Sequence, residues 1–382
     1  MANKLNNFKW KHYINYIGVF AFSLIFILMS LTGSMSSSTI YLIEKIAISV
    51  ILAVSLSIVV GFLGELSLGH AGFMCIGAYL GGKTSLILEP LVGDGFLSLL
   101  ISLIVGGLIA ALCGIIIGLP ALRLRGDYLA IVTLAFGEIV RSLFMNSSDE
   151  SFGGSLGLST PRYDKNELFI YALILVLVCL AVLQNLIHSK HGRAITSIRD
   201  NEIAARATGI NVTKYKLIVF TVSSFFAGIA GVLYSFSNFT VQSTKFSYNY
   251  SIEILVMVVL GGMGNISGSI IAATLITFLD VKLQTILTGN LAVLQDLFYA
   301  LILIILVIYN NAPGLKGFRE TYNLKNLLAK FKKNSKHDHS KVRDDEAKWD
   351  RVPTKIDMDE VLSVDLQPSN YYSPDKRQKG DK

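Results

Sequence analysis

Long apolar stretches separated by short polar breaks run through most of this chain, without the period-two alternation of half-buried strands. The pattern predicts ten membrane-crossing elements at 14–32, 40–60, 66–82, 96–119, 127–145, 167–187, 216–236, 251–261, 266–280 and 291–309. Apolar runs of about 17 to 25 residues span roughly 30 Å of hydrocarbon as helices, which satisfy their own backbone polar groups. The weak alternating strands of a membrane barrel are absent, so the expected fold is an all-α polytopic membrane protein built of helices and half-helices.

Charge orients these elements. Lys4, Lys9 and Lys11 precede the first span, Arg123 and Arg125 fall between the fourth and fifth, and Lys190, Arg193, Arg199, Arg206, Lys214 and Lys216 crowd the loop 189–216. Basic loops face the cytoplasm. Both termini are then cytoplasmic, provided that 251–261 and 266–280 are separate short elements joined by a cytoplasm-side turn at 261–268. The first span is longer than a signal-peptide apolar region and lacks an A-x-A site, so it is read as retained.

The loop 189–216 is the longest cytoplasmic interruption within the apolar region, and it reads as a socket for another protein. Asp200 is placed to cap a helix, Asn201 to Thr208 supply two turns, and Gly209 supplies a left-handed stop. So short a helix needs something to pack on. Ala204 and Ala205 leave room for a partner's surface.

Two glycine-rich segments resemble each other: Val60-Gly-Phe-Leu-Gly64-Glu-Leu-Ser67-Leu-Gly69 and Leu260-Gly-Gly-Met-Gly264-Asn-Ile-Ser267-Gly268. A parallel internal repeat, spans 1–4 against spans 7–10, accounts for the likeness. Chance similarity of glycine-rich turns is the competing reading. Glu65 and His70 flank the first segment, whose glycines suit either a broken helix lining a polar path or plain close packing.

Composition agrees with a membrane protein: 382 residues, 52% hydrophobic and only 16% charged. The net charge of +7 invites a nucleic-acid reading, but 16 of the 34 basic residues follow Leu315, mixed there with 12 acids. No basic face results. The polar stretch 316–382 is expected to be a disordered cytoplasmic tail behind a permease domain at 1–315. Cys75, Cys113 and Cys179 lie in apolar segments and read as small buried hydrophobes.

Zinc-protease and paired-thiol motifs are missing: no H-E-x-x-H or C-x-x-C occurs. His70, the one histidine in an apolar setting, reads as hydrogen-bonded rather than metal-bound, and no metal site is expected. Among charges within spans, Glu138 and Arg141 stand three apart on one helical face and can neutralise each other, a structural ion pair being the plainer reading and a substrate contact the competing one, while Glu44 and Lys45 are expected to snorkel near a span end.

Six ordered segments carry a resemblance: GELSLGHAGFMCIGAYLGG (64–82), LRLRGDYLAIVTLAFGEIVR (122–141), GGSLGLSTP (153–161), GRAITSIRDNEIAARATGINVTKYKL (192–217), SIEILVMVVLGGMGNISGSIIAA (251–273) and APGLKG (312–317). Together they resemble the M-type permease subunit of branched-chain amino-acid (leucine/isoleucine/valine) ABC importers. The resemblance implies a bacterial plasma-membrane protein that pairs with a homologous second permease, two ATP-binding subunits and an extracytoplasmic binding protein. ATP and Mg would be bound by those partners, with no cofactor in this chain. Arg199, Asp200, Glu202, Ala204, Ala205 and Gly209 would couple to the ATPase. The importer signature E-A-A, three residues, G is altered here, an isoleucine entering after Glu202, and the later I-x-L-P is missing. Gly61, Gly64, Glu65, Ser67, Gly69, His70, Gly261, Gly262, Gly264, Asn265, Ser267 and Gly268 would shape the translocation path. The loop 146–166 would meet the binding protein.

Similar permeases carry urea, short amides or nucleosides, so the resemblance leaves the cargo open. The rival reading is an ion-coupled secondary transporter using Glu65 and Glu138 and needing no partner. A membrane-embedded enzyme has least support, because no catalytic constellation emerges.

Overall fold

The computed structural model describes residues 10–31, 35–93, 95–122, 124, 126–160, 165–286, 300, 301, 304 and 308. The tail expected at 316–382, Arg123 and Arg125, and all but four residues of the span expected at 291–309 lie outside the described residues.

Helices α1 (Trp10–Leu31), α2 (Ser37–Ser57, continued by a π-helical turn over Ile58–Leu63), α3 (His70–Val92), α4 (Phe96–Ala121) and α5 (Asp127–Met145) come first. A short helix, α6 (Asp149–Phe152), and strand β1 (Leu158–Ser159) follow. Then come α7 (Lys165–His188), α8 (Lys190–Asp200), α9 (Glu202–Ala207), α10 (Val212–Ser237), strand β2 (Thr240–Val241), a 3-10 turn at Ser243–Phe246, α11 (Tyr248–Gly261) and α12 (Ile266–Ile286). Among the described residues, seven helices are long and apolar enough to cross a membrane, and Tyr16–Ser30 and Tyr248–Gly261 are shorter apolar helices. The one departure from all-α architecture in this set is the two-residue antiparallel pair β1–β2.

Most expected spans match. Residues 127–145 form α5 without adjustment, and 251–261 and 266–280 are separate helices joined by a turn at 262–265. The main correction is at 64–69, which is non-helical: α3 begins at His70, not at residue 66, and runs on to Val92. Gly64 causes the break, ending the preceding helix at φ 81° in the left-handed region.

In a membrane, size rather than polarity separates the faces of a helix. α4 is apolar all round, yet Ser98, Ser102, Gly106, Ala110, Gly114 and Gly118, each four residues apart, are all buried, whereas Leu100, Ile104, Leu108 and Leu112 are exposed. A stripe of small side chains lets backbones approach closely, and the bulky face is left for lipid. α10 lies against α2, α3 and α4 at the centre. Where it crosses α3, a Cβ on Gly77 would collide with the carbonyl of Gly228.

Candidate functional site

The loop expected at 189–216 holds two helices. Ser189 Oγ accepts from His191 N at 3.1 Å and Gly192 N at 3.3 Å, opening α8, whose Gly192, Ile195 and Ile198 are buried. The i, i+3 spacing of Ile195 and Ile198 behind Ser189 was the signal for this helix. Asn201 then leaves helical geometry (φ −160°, ψ 105°), and its Oδ1 accepts from Ala204 N at 2.9 Å. Asn201, not Asp200, therefore caps α9. Asp200 is the last residue of α8, too helical to cap, and instead pairs with Arg199 at 2.9 Å. α9 ends in a Schellman motif: Gly209 (φ 85°) donates to Arg206 O and Ile210 N donates to Ala205 O, both at 3.1 Å.

The two alanines of this helix part company. Ala205 is buried, only 4% exposed, and faces the rest of the chain, so it is unavailable to a partner. Ala204, Arg206 and Ala207 are exposed, and Ile203 stands out at 75%.

Below α9 lies a buried charged joint. Lys216 Nζ forms ion pairs with Glu65 and, at 3.2 Å, with Glu202, which also pairs with Arg206 at 2.8 Å. Lys216 is 2% exposed. Its cation thus ties three segments: α9, α10 and the extended stretch 64–69. Counting Lys216 among loop charges hid this, because a charge count carries no direction. Its register did carry the signal, since Lys216 shares a buried helical face with Val212, Val219, Phe220 and Ser223.

A second tie lies beside it. Arg199 Nη1 donates to Gly61 O at 3.0 Å, and its side chain passes across Gly64. Gly61 in turn packs on Gly264, so closely that a Cβ at 61 would collide with Gly264 N. The two similar turns therefore touch, and their matching glycines share a left-handed backbone, φ 81° at Gly64 and 79° at Gly264. Gly261 and Gly268 pack on each other, and Asn265 Oδ1 accepts from Gly268 N at 3.3 Å at the start of α12. Gly262 (φ 91°) shapes the same turn, which Ser267 follows.

The remaining candidates sit farther along the extended stretch. Ser67 is buried, Leu68 N donates to Thr133 Oγ1 at 3.0 Å, and Ala71 N donates to Ser251 Oγ at 3.1 Å, which ties the stretch to α5 and the start of α3 to α11. Gly69 abuts the Thr133 carbonyl. His70 Nε2 lies 2.9 Å from Ser55 Oγ, the hydrogen bond expected for a buried histidine. Glu138 and Arg141 form the expected pair at 2.7 Å. Glu44 departs from expectation: it is 2% exposed and accepts from Ser237 Oγ at 2.6 Å instead of reaching toward a membrane surface. The Ser237 hydroxyl at the end of α10 offsets part of the cost of its burial where water cannot.

A family model described as branched-chain amino acid transport system / permease component matches residues 38–309. The chain is 36% identical over 290 residues to the high-affinity branched-chain amino acid transport system permease protein LivM of Salmonella typhimurium, covering 68% of this chain and 66% of that one. It is 38% identical over 273 residues to LivM of Escherichia coli, covering 63% and 62%. The ribose import permease protein RbsC of Escherichia coli is 27% identical over 297 residues, covering 71% and 84%. The chain thus spans just under two thirds of the length of the two LivM proteins. No solved structure matches.

Proposed function

The chain belongs to the branched-chain amino acid transport system / permease component family, and from that premise we propose that it is the membrane permease of an ATP-driven importer of leucine, isoleucine and valine. In this reading α8 and α9 dock on an ATP-binding subunit, a homologous permease completes the membrane part, and a binding protein delivers cargo at the opposite face. The LivM relatives support the substrate.

One observation carries the mechanism: the joint in which Lys216 holds Glu65 and Glu202 together. α9 is too short to be stiff alone. Through Glu202 to Lys216, and through Arg199 to Gly61, any displacement of the loop is passed to the end of α2 and to the broken stretch 64–69. A change in the ATPase subunits would then alternate access by moving packed elements with two discrete arrangements.

The ion-coupled alternative loses support here. The acids it needs as proton or sodium sites are each engaged by a cation, Glu65 by Lys216 and Glu138 by Arg141. The test is reconstitution in liposomes. ATP-dependent leucine uptake that requires the ATPase subunits and the binding protein is expected; uptake by the lone chain under a proton or sodium gradient would overturn the proposal.

A further inference from the structure

α5 turns one face outward, carrying Tyr128, Ile131, Ile139 and Leu143. At the edge of that face stand Glu138 and Arg141, their side chains each 27% exposed. Both oxygens of Glu138 are used: Oε2 accepts from Arg141 Nε at 2.7 Å, and Oε1 accepts from the backbone of Tyr248, at the start of α11, at 2.9 Å. Glu138 therefore fixes the near edge of the guanidinium to the α5–α11 boundary.

The far edge has a single weak contact. Among the described residues, Nη1 reaches only Met145 Sδ, at 4.0 Å, and Nη2 has no partner. Ionisable groups within a span are costly and mark sites of function, so an open fork there is suited to a ligand. Its paired donors match the two oxygens of a carboxylate. Connectivity gives its side of the membrane: α5 ends one turn later at Met145, and α7 crosses back to the loop that carries α8 and α9. The fork thus faces the entry side of an importer.

Resting on the function proposed above, we infer that the free edge of Arg141 receives the α-carboxylate of the incoming amino acid, with Glu138 as the positioning residue that aims it. The guanidinium replaces the water that a carboxylate loses on entering the membrane. An amino acid stripped of that water gains two charge-assisted hydrogen bonds at its first step inward.

The test uses the complete importer with its ATPase subunits and binding protein in proteoliposomes, and radiolabelled leucine as the probe. Arg141→Gln is expected to slow uptake at least tenfold with the complex still assembled, and Arg141→Lys to recover part of the rate. Glu138→Gln keeps an oxygen for Nε and leaves the fork in place, so a loss of less than threefold is expected. Equal losses in Arg141→Gln and Glu138→Gln would mean a structural ion pair and overturn the inference. Disassembly of the Arg141→Gln complex, which would mean pairing with a second subunit, or wild-type uptake by that variant would overturn it too. If the unaltered importer carries some other cargo on ATP but no branched-chain amino acid, the substrate assignment is what fails, and this inference falls with it.

Discussion

Arg199 donates from Nη1 to the carbonyl of Gly61, 3.0 Å away and 138 residues earlier in the chain. Three residues later Glu202 reaches Lys216, which also holds Glu65. The corner at Asn201, where α8 gives way to α9, thus has two tethers that end four residues apart, on either side of the Gly64 break. A loop attached at one point could swing freely; attached at two, it carries the end of α2 with it.

Gly61, where one tether ends, is also where the two turns touch. At Gly61 an added methyl would meet the backbone of Gly264, which has no rotamer with which to retreat. Gly61→Ala is expected to destabilise by about 1–3 kcal/mol, the usual range for overpacking, and to slow uptake by more than tenfold. Thermal unfolding of the detergent-purified complex, with its uptake rate, checks both. A wild-type melting temperature would show that the two turns are apart in the working protein.

Lys216 offers a sharper test because it is paired twice. Lys216→Met leaves Glu65 without its cation and Glu202 with Arg206 alone, and breaking a buried pair in this way costs about 3–5 kcal/mol. Neutralising both acids in the same chain (Glu65→Gln, Glu202→Gln, Lys216→Met) removes the stranded charges and should restore most of the stability. Uptake should stay low in the triple variant, since the link itself is gone. Full uptake by the folded triple variant would remove the joint from the mechanism.

Sequence pattern located nearly every described span because the hydrophobic signal is strong and its meaning, helix across lipid, is unambiguous. It placed the break between α11 and α12 through charge parity and brought Gly64 and Gly264 into register through a local repeat. It missed what depends on direction. Nothing in a hydropathy profile says that Ala205 points inward while Ala204 points out, or that Lys216 is turned toward α2 instead of water. Asp200 lost the cap to Asn201 because α8, an amphipathic helix read as loop, claims Asp200 as its own last residue. Glu44 was placed at a surface because carboxylates avoid lipid, whereas Ser237, 193 residues away, supplies the hydrogen bond that makes burial tolerable.

In the docking proposed above, the opposing faces of α9 separate partner binding from folding. Ile203→Asp alters a side chain that is 75% exposed, so the permease should insert and melt as usual while its ATPase subunits dissociate in pull-downs from detergent. Ala205→Glu forces a carboxylate into a position that is 4% exposed, and there the permease itself should be lost, with a drop of several degrees in melting temperature or failure to accumulate. An Ile203→Asp chain that retains its ATPase partners would show that α9 docks elsewhere or not at all.

Helix α9 has six residues, too few to hold its shape without its caps. Asn201 Oδ1 supplies the N-terminal one through Ala204 N, and removing such a cap costs about 0.5–2 kcal/mol. In Asn201→Ala the amides of 204–208 should therefore exchange with deuterium about two- to thirtyfold faster, in proportion to the more frequent opening of the helix. Asn201→Asp keeps an accepting oxygen and should exchange as the native chain does. Asp200→Ala should leave these amides unchanged, since Asp200 contacts Arg199 and not the start of α9. The reverse result, fast exchange in Asp200→Ala and slow exchange in Asn201→Ala, would place the helix start one residue earlier and undo the corner on which both tethers depend.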